Sequence, residues 1–297
     1  MLQKQFPELL PYLAAGLTGS GSECFGYDDE VSQDHDFEPG FCLFLPGEDV
    51  MDRRVAFALE RAYAKLPREF MGFQRTLVQP VGGARHGVIR TADFFTDKVG
   101  LPDGRLETED WLLLPESYLA EAVNGQIFFD NYGEVTRIRE HLKSYPPDIR
   151  RKKLAGCLLL MGQAGQYNYI RCLRHGEGAA AQLSVCEFVK NAIQTVFLLN
   201  EVYQPYYKWS FRAMRSLPKL SLLDELMEYL ITTGNEPTMQ EEKAAIMEGI
   251  AQDVIEELQM QDLTDASCGE LEEHAYSVND GISDGNLRNM HILSGVH

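Results

Sequence analysis

The stretch that decides the reading is Thr18 to Leu45, TGSGSECFGYDDEVSQDHDFEPGFCLFL. At its start lies a Gly-Ser turn, Gly21-Ser22, with eleven residues between it and Asp34-His35-Asp36. Residues two apart on an extended strand project from the same face, so Asp34 and Asp36 are expected to present both carboxylates to one side, with His35 on the other in a structural role. Two neighbouring carboxylates stay ionised together at low cost only when a cation sits between them. Mg²⁺, or Mn²⁺ in its place, suits such hard oxygen ligands and keeps positions open for substrate phosphates. Backbone N–H groups of a Gly-rich turn and a Ser hydroxyl suit phosphate oxygens. The stretch therefore predicts a metal–nucleotide site, with the metal on Asp34 and Asp36 and the phosphates on Gly21 and Ser22. The bland alternative makes the two aspartates solvated turn residues that follow the acidic run Asp28 to Glu30. The flanks favour the site: apolar Tyr12 to Leu17 precedes it, and FCLFL at 41–45 reads as a buried strand.

This arrangement resembles the nucleotidyltransferase superfamily that includes DNA polymerase β and the aminoglycoside nucleotidyltransferases, whose signature is Gly-Ser, a spacer and Asp-x-Asp/Glu. GSGSECFGYDDE (19–30) and SQDHDFEPGFCL (32–43) more closely resemble an uncharacterised bacterial domain family within that superfamily. The resemblance runs on through QYNYIRCLRHGE (166–177), PYYKW (205–209) and HAYSV (274–278). It implies an α+β protein, with a small mixed α/β nucleotidyltransferase domain followed by an α-helical bundle domain. It also implies transfer of a nucleoside monophosphate from a nucleoside triphosphate, ATP being expected, to a hydroxyl of an unknown acceptor. Helical domains of the superfamily often supply a phosphate-binding Lys, which here falls on Lys208 of Tyr206-Tyr207-Lys208-Trp209. The alternative is aromatic helix packing with Lys208 reaching into solvent. Arg171 and Arg174 are three apart and so spaced to share a phosphate; the alternative is a pair of ordinary surface arginines. Many superfamily members carry a third carboxylate on a neighbouring strand. None lies in His86 to Thr91, and Asp93 is the nearest acid, expected either in that catalytic role or as an N-cap. Without a third acid, the runner-up reading is a non-catalytic nucleotide-binding regulator that keeps the fold.

The composition fits a globular chain: 297 residues, 44% hydrophobic and 24% charged. No apolar run approaches the roughly 20 residues of a membrane span, and the N-terminus lacks a leader-like apolar core, so a cytoplasmic location is expected. Six scattered cysteines without a Cys-x-x-Cys pair argue against zinc and against a disulfide framework. A net charge of −18 speaks against nucleic acid as a partner. That charge is unevenly distributed. Residues 137–219 carry 14 Lys and Arg against 5 Asp and Glu, whereas residues 220–297 carry 2 against 17. The basic middle suits an anionic ligand, although its run Arg150 to Lys153 is expected simply to face solvent.

Patterning divides the chain into an α/β part, 1–136, and a helical part, 137–297. In the first, helices are expected over 7–14, Glu48 to Leu66, Asp93 to Val99 and Glu116 to Val123, with strands at Arg75 to Gln79, His86 to Thr91 and Gln126 to Phe129. In the second, helices are expected at Val135 to Leu142, Ile149 to Gln163, Ala179 to Leu199, Tyr206 to Ser216, Leu220 to Ile231 and Gln240 to Gln259. His274 and His291 are expected at the surface.

Overall fold

In a computed structural model of the chain, the structure describes residues 1–31, 39–75 and 86–296. The protein is α+β. The sequence enters through a short helix α1 (Leu2–Gln5), a 3-10 turn (Pro7–Tyr12), strand β1 (Ala14–Leu17) and a one-turn helix α2 (Ser22–Phe25). There follow β2 (Cys42–Leu45), α3 (Arg53–Ala64), the hairpin β3 (Glu69–Phe70) and β4 (Phe73–Gln74), then β5 (Gly87–Arg90) and α4 (Thr91–Val99). Next come α5 (Thr108–Leu113), α6 (Glu116–Val123), β6 (Gln126–Asp130) and α7 (Glu134–His141). The remainder is helical: α8 (Pro147–Met161), a π-helical stretch (Gly162–Asn168), α9 (Tyr169–Arg174), α10 (Gly178–Leu199), α11 (Tyr207–Met214), α12 (Leu223–Thr232), α13 (Pro237–Met260), α14 (Leu271–Asp280) and α15 (Gly285–Asn289).

These elements form two compact units. One comprises residues 1–106 and 118–143, the other residues 107–117 and 144–297. Relative to a division at 136/137, α7 groups with the sheet, and the segment 107–117 groups with the helices. The second point has a side-chain basis: Trp111 on α5 packs edge-on against Tyr145, and Tyr145 against Tyr203.

In the α/β unit the sheet order is β5-β2-β1-β6, with β2 and β5 parallel and the other pairs antiparallel. The central strand β2 is a continuous apolar run, Cys42-Leu43-Phe44-Leu45, and all four residues are buried. Continuous runs of this kind suit a strand covered on both faces. Helix α3 lies in the crossover from β2 to β5. It begins at Arg53 rather than near Glu48 because the Asp52 carboxylate accepts from the Arg54 and Val55 amides at 2.8 and 2.9 Å, which is an N-cap. Of its buried residues, Ala56 and Leu59 join Leu13, Ala15, Leu43 and Leu45 in the core, and Tyr63 packs edge-on against Phe41. The register pairs Gly16 with Cys42, Cys42 with Gly87 and Leu17 with Gln126. The end of β1 and the starts of β2, β5 and β6 therefore share one edge of the sheet.

In the helical unit the second half of α8, Leu154 to Met161, is apolar all round and buried accordingly. It packs mainly on α10 and α14. The π-helical stretch continues it past Met161, and Gly165 lets the Phe188 ring approach, since a Cβ there would overlap that ring. The Gln166 side chain then accepts from the Leu271 amide at 2.9 Å and donates to the Gly269 carbonyl at 2.9 Å, fixing the entry to α14.

Two expectations about charge are corrected here. Lys152 and Lys153 do not face solvent; both are buried. Lys152 Nζ donates to the Met290 carbonyl at 2.7 Å and to Asn279 Oδ1 at 2.9 Å, and Lys153 Nζ donates to the Gly295 carbonyl at 2.9 Å. The two ammonium groups pin the segment that follows α15 onto α8, where Gly156 makes room for Val296. His274 is likewise buried. Its Nδ1 lies 2.9 Å from Thr264 Oγ1 and its Nε2 lies 3.0 Å from the Cys268 carbonyl.

Candidate functional site

The Gly-Ser turn follows β1 directly, so its position is set by how β1 ends. Asn124, just after α6, holds that turn. Its Oδ1 accepts from the Gly19 amide at 2.9 Å and lies 3.0 Å from Thr18 Oγ1, while its Nδ2 donates to the Gly19 carbonyl at 2.7 Å. Arg139 on α7 backs this arrangement, donating to Thr18 Oγ1 at 3.1 Å and to the Val123 and Asn124 carbonyls at 2.7 and 2.8 Å. Next to Asn124, Gly125 has φ +65°, and a Cβ there would overlap the Leu17 carbonyl. Only glycine fits at that position.

A cavity of about 310 Å³ opens beside the turn. Thr18, Gly19, Ser20 and Gly21 form one wall, Glu23 and Cys24 of α2 and Cys42 of β2 another. The remainder comes from β5 and α4: His86, Gly87, Val88 and Ile89, then Phe94, Asp97 and Lys98. The volume is at the lower end of the range for small-ligand sites, and the lining combines an apolar side with a few convergent polar groups.

The electrostatics are mixed. Lys98 is held by Glu121 at 2.9 Å and by Asp97 at 3.2 Å. Burial alone would push its pKa down, but the two carboxylates outweigh it and the net shift is upward, so the ammonium stays charged. The Cys24 and Cys42 thiols are pushed up to about 12 and about 11, first by burial and then by the charge of Glu23. Both are thus protonated near neutrality and poor nucleophiles. His86 Nε2 lies 3.4 Å from Glu23 Oε1, its side chain is 9% exposed, and among the described residues that nitrogen has no hydrogen-bond partner.

Of the residues expected at the site, Gly21 lines this cavity and Ser22 stands beside it, its hydroxyl donating to Asp28 Oδ1 at 2.7 Å. Asp34, Asp36 and His35 lie outside the described residues, as does most of the strand expected at Arg75 to Gln79. Asp93 is exposed in the first turn of α4 and is absent from the cavity lining. It is not an N-cap either, since α4 is capped at Arg90. The acid that lines the cavity from this helix is Asp97, one turn further on. Arg171, Arg174 and Lys208 are exposed on the helical unit. Arg171 donates to the Tyr167 hydroxyl at 2.9 Å and lies 5.6 Å from that ring's centroid, and Lys208 Nζ lies 4.9 Å from the Trp209 ring centroid. Among the described residues no group of three His, Cys, Asp or Glu side chains is arranged to hold a metal, so the metal side of the expected site depends on Asp34 and Asp36.

Sequence reasoning had no assigned role for Glu23, Asp97, Lys98, Asn124 or Arg139. Glu23 and Asp97-Lys98 are ordinary surface letters in isolation. Asn124-Gly125 does carry a signal, being a turn dipeptide between a helix and a strand.

Comparison with known proteins adds one match. A family model described as "Domain of unknown function (DUF4037)" matches residues 111–210, about a third of the chain. The matched stretch carries Asn124 and Arg139, which hold the turn, together with Arg171, Arg174 and Lys208, and does not reach the turn itself. No curated protein and no solved structure matches the chain. No helix among the described residues is long and apolar enough to cross a membrane.

Proposed function

We propose that the chain is a metal-dependent nucleotidyltransferase that moves a nucleoside monophosphate, from ATP as the expected donor, to a hydroxyl of a small molecule or a protein. One observation carries this reading: the Thr18–Gly21 turn that precedes Asp34 and Asp36 in sequence is braced by Asn124 and Arg139 and forms a wall of a cavity at the sheet edge. A Gly-rich turn held in place beside a cavity is suited to phosphate recognition by its backbone N–H groups.

In this reading Gly21, with Ser20 and Ser22 beside it, holds the β- and γ-phosphates. Val88, Ile89 and Phe94 offer an apolar wall to the nucleoside. A divalent cation on Asp34 and Asp36 would supply charge neutralisation at the reacting phosphate. The acceptor hydroxyl gives up its proton to water as its oxygen bonds to the α-phosphorus, the bond from that phosphorus to the bridging oxygen breaks, and pyrophosphate leaves with the electron pair. Lys98 lines the cavity and is available to the departing charge; Lys208, with Arg171 or Arg174, is proposed for the same role on the family resemblance and the spacing of the arginines alone. Little covalent chemistry is asked of the protein, so positioning and charge stabilisation suffice.

One observation favours the runner-up, a nucleotide-binding regulator without transfer activity: β5 carries no carboxylate, and Asp93 lies off the cavity. Pyrophosphate release separates the two. The four nucleoside triphosphates are each incubated with Mg²⁺, a panel of hydroxyl acceptors (polyhydroxylated small molecules and unfolded protein) and the wild-type chain or its Asp34→Asn and Asp36→Asn variants. Transfer predicts release with one nucleotide in wild type and loss in both variants. Full activity in either variant would overturn the assignment of the metal pair, and Mg²⁺-dependent binding without release would favour the regulator.

A further inference from the structure

Glu23 occupies an unexpected place for a carboxylate. Its three carboxyl atoms lie over Gly21, where the Cβ of any other residue would overlap them. The same carboxylate faces His86, whose imidazole is nine-tenths buried, lines the cavity and has no hydrogen-bond partner at Nε2 among the described residues. Its charge is felt at Cys24 and Cys42 on the same wall of the cavity. A negative group thus sits against the turn proposed to receive phosphate. Two anions cannot share so small a space cheaply unless a cation offsets one of them.

We infer that Glu23 is a specificity-determining residue: it makes the Thr18–Gly21 turn reject free triphosphate and accept triphosphate whose charge is offset by a divalent cation. This rests on the nucleotide reading of the same cavity. As the ligand enters, the carboxylate withdraws from Gly21 towards His86, 3.4 Å away, whose unengaged Nε2 is placed to receive it by donating a hydrogen bond. The discrimination is electrostatic and not steric, because a glutamine at position 23 has the same shape without the charge.

The test titrates the full chain calorimetrically with ATP, once with a chelator and once with excess Mg²⁺, in wild type and in Glu23→Gln. The expected result is a gain of about ten-fold in affinity for metal-free ATP in the variant, the low end of what one nearby like charge does to a neighbouring group. Affinity for Mg²⁺-ATP should change much less, so the ratio between the two conditions collapses. Glu23→Ala serves as a second variant should Glu23→Gln fail to fold, and predicts the same collapse. Mg²⁺-ATP binding in wild type with an unchanged or weaker metal-free affinity in the variants would overturn this inference and leave the nucleotide reading standing. Absence of Mg²⁺-ATP binding in wild type and variants alike would remove the nucleotide reading and this inference with it.

Discussion

In the helical unit the buried histidine has no capacity left over. The Nε2 of His274 faces a carbonyl oxygen and so carries the proton, leaving Nδ1 to accept from Thr264, whose oxygen in turn accepts from the Ala266 amide at 3.2 Å. Lys152, Lys153 and Lys243 are buried in the same unit, and each ammonium is engaged by carbonyl or amide oxygens. In the α/β unit His86 is comparably enclosed, yet its Nε2 has no hydrogen bond among the described residues and borders a cavity. The contrast separates two uses of buried polarity. A fully paired group has a structural task and nothing to offer a ligand. A group left open beside a cavity, on a scaffold braced from behind, is where chemistry or recognition has room to act.

The largest effect expected from breaking the paired side is on stability. Lys152→Ala leaves the Met290 carbonyl and Asn279 without their donor and opens a void in α8, which should cost about 3 kcal/mol. A urea titration reads this as a lower midpoint, and a loss below about 0.5 kcal/mol, the level of an ordinary surface substitution, would return the lysine to the surface class. Next comes Glu116, which opens α6 and is buried against Gln194 at 2.7 Å and the Gln204 amide at 3.2 Å. Burial raises its pKa above the usual 4.5 despite the charge of Lys153. A raised folded pKa binds the proton more tightly in the native state. Its contribution is therefore fully present below pH 4.5 and lost as pH rises through the folded value. Glu116→Gln should remove that slope, and midpoints measured at several pH values would show parallel profiles if burial had no such effect.

On the open side the effects shift from stability to binding. Asn124→Ala removes the hydrogen bonds that hold Thr18 and Gly19, and should cost about 1–3 kcal/mol in stability. Its sharper signature is a weakened Mg²⁺-ATP affinity, and unchanged binding would show that bracing the turn is irrelevant to the cavity. The smallest stability effect is expected at exposed Arg171 and Lys208. Alanine at either should move stability by less than about 0.5 kcal/mol. If these cations reach the nucleotide, pyrophosphate release falls all the same.

Some of this was legible in the sequence because local rules decide it. A continuous apolar run marks β2, and helix periodicity places α6 and α10 to within a residue or two, whereas α3, expected from near Glu48, begins at Arg53 because Asp52 caps it. The burial of Lys152 and Lys153 was not legible. A run of four basic residues reads as a solvated face, and what covers it is a segment more than a hundred positions later in the chain. The site was half legible. The Gly-Ser turn announces itself by composition, whereas Asp97 comes to the cavity, and Asn124 and Arg139 to the turn behind it, through sheet register and helix placement. No short motif encodes that convergence. Asp93 shows the reverse hazard: proximity in sequence suggested a catalytic acid, and the rise of one helical turn along α4 gave the cavity to Asp97.

The central claim, a metal-dependent nucleotide site at the Thr18–Gly21 turn, is tested most directly by calorimetric titration with ATP, GTP, CTP and UTP in the presence and absence of Mg²⁺. The wild-type chain is compared with an Asp34→Asn/Asp36→Asn double variant of equal thermal stability. The account predicts Mg²⁺-dependent binding of one nucleotide, with ATP expected, and its loss in the variant. Silence from all four nucleotides with a folded wild-type protein would contradict it.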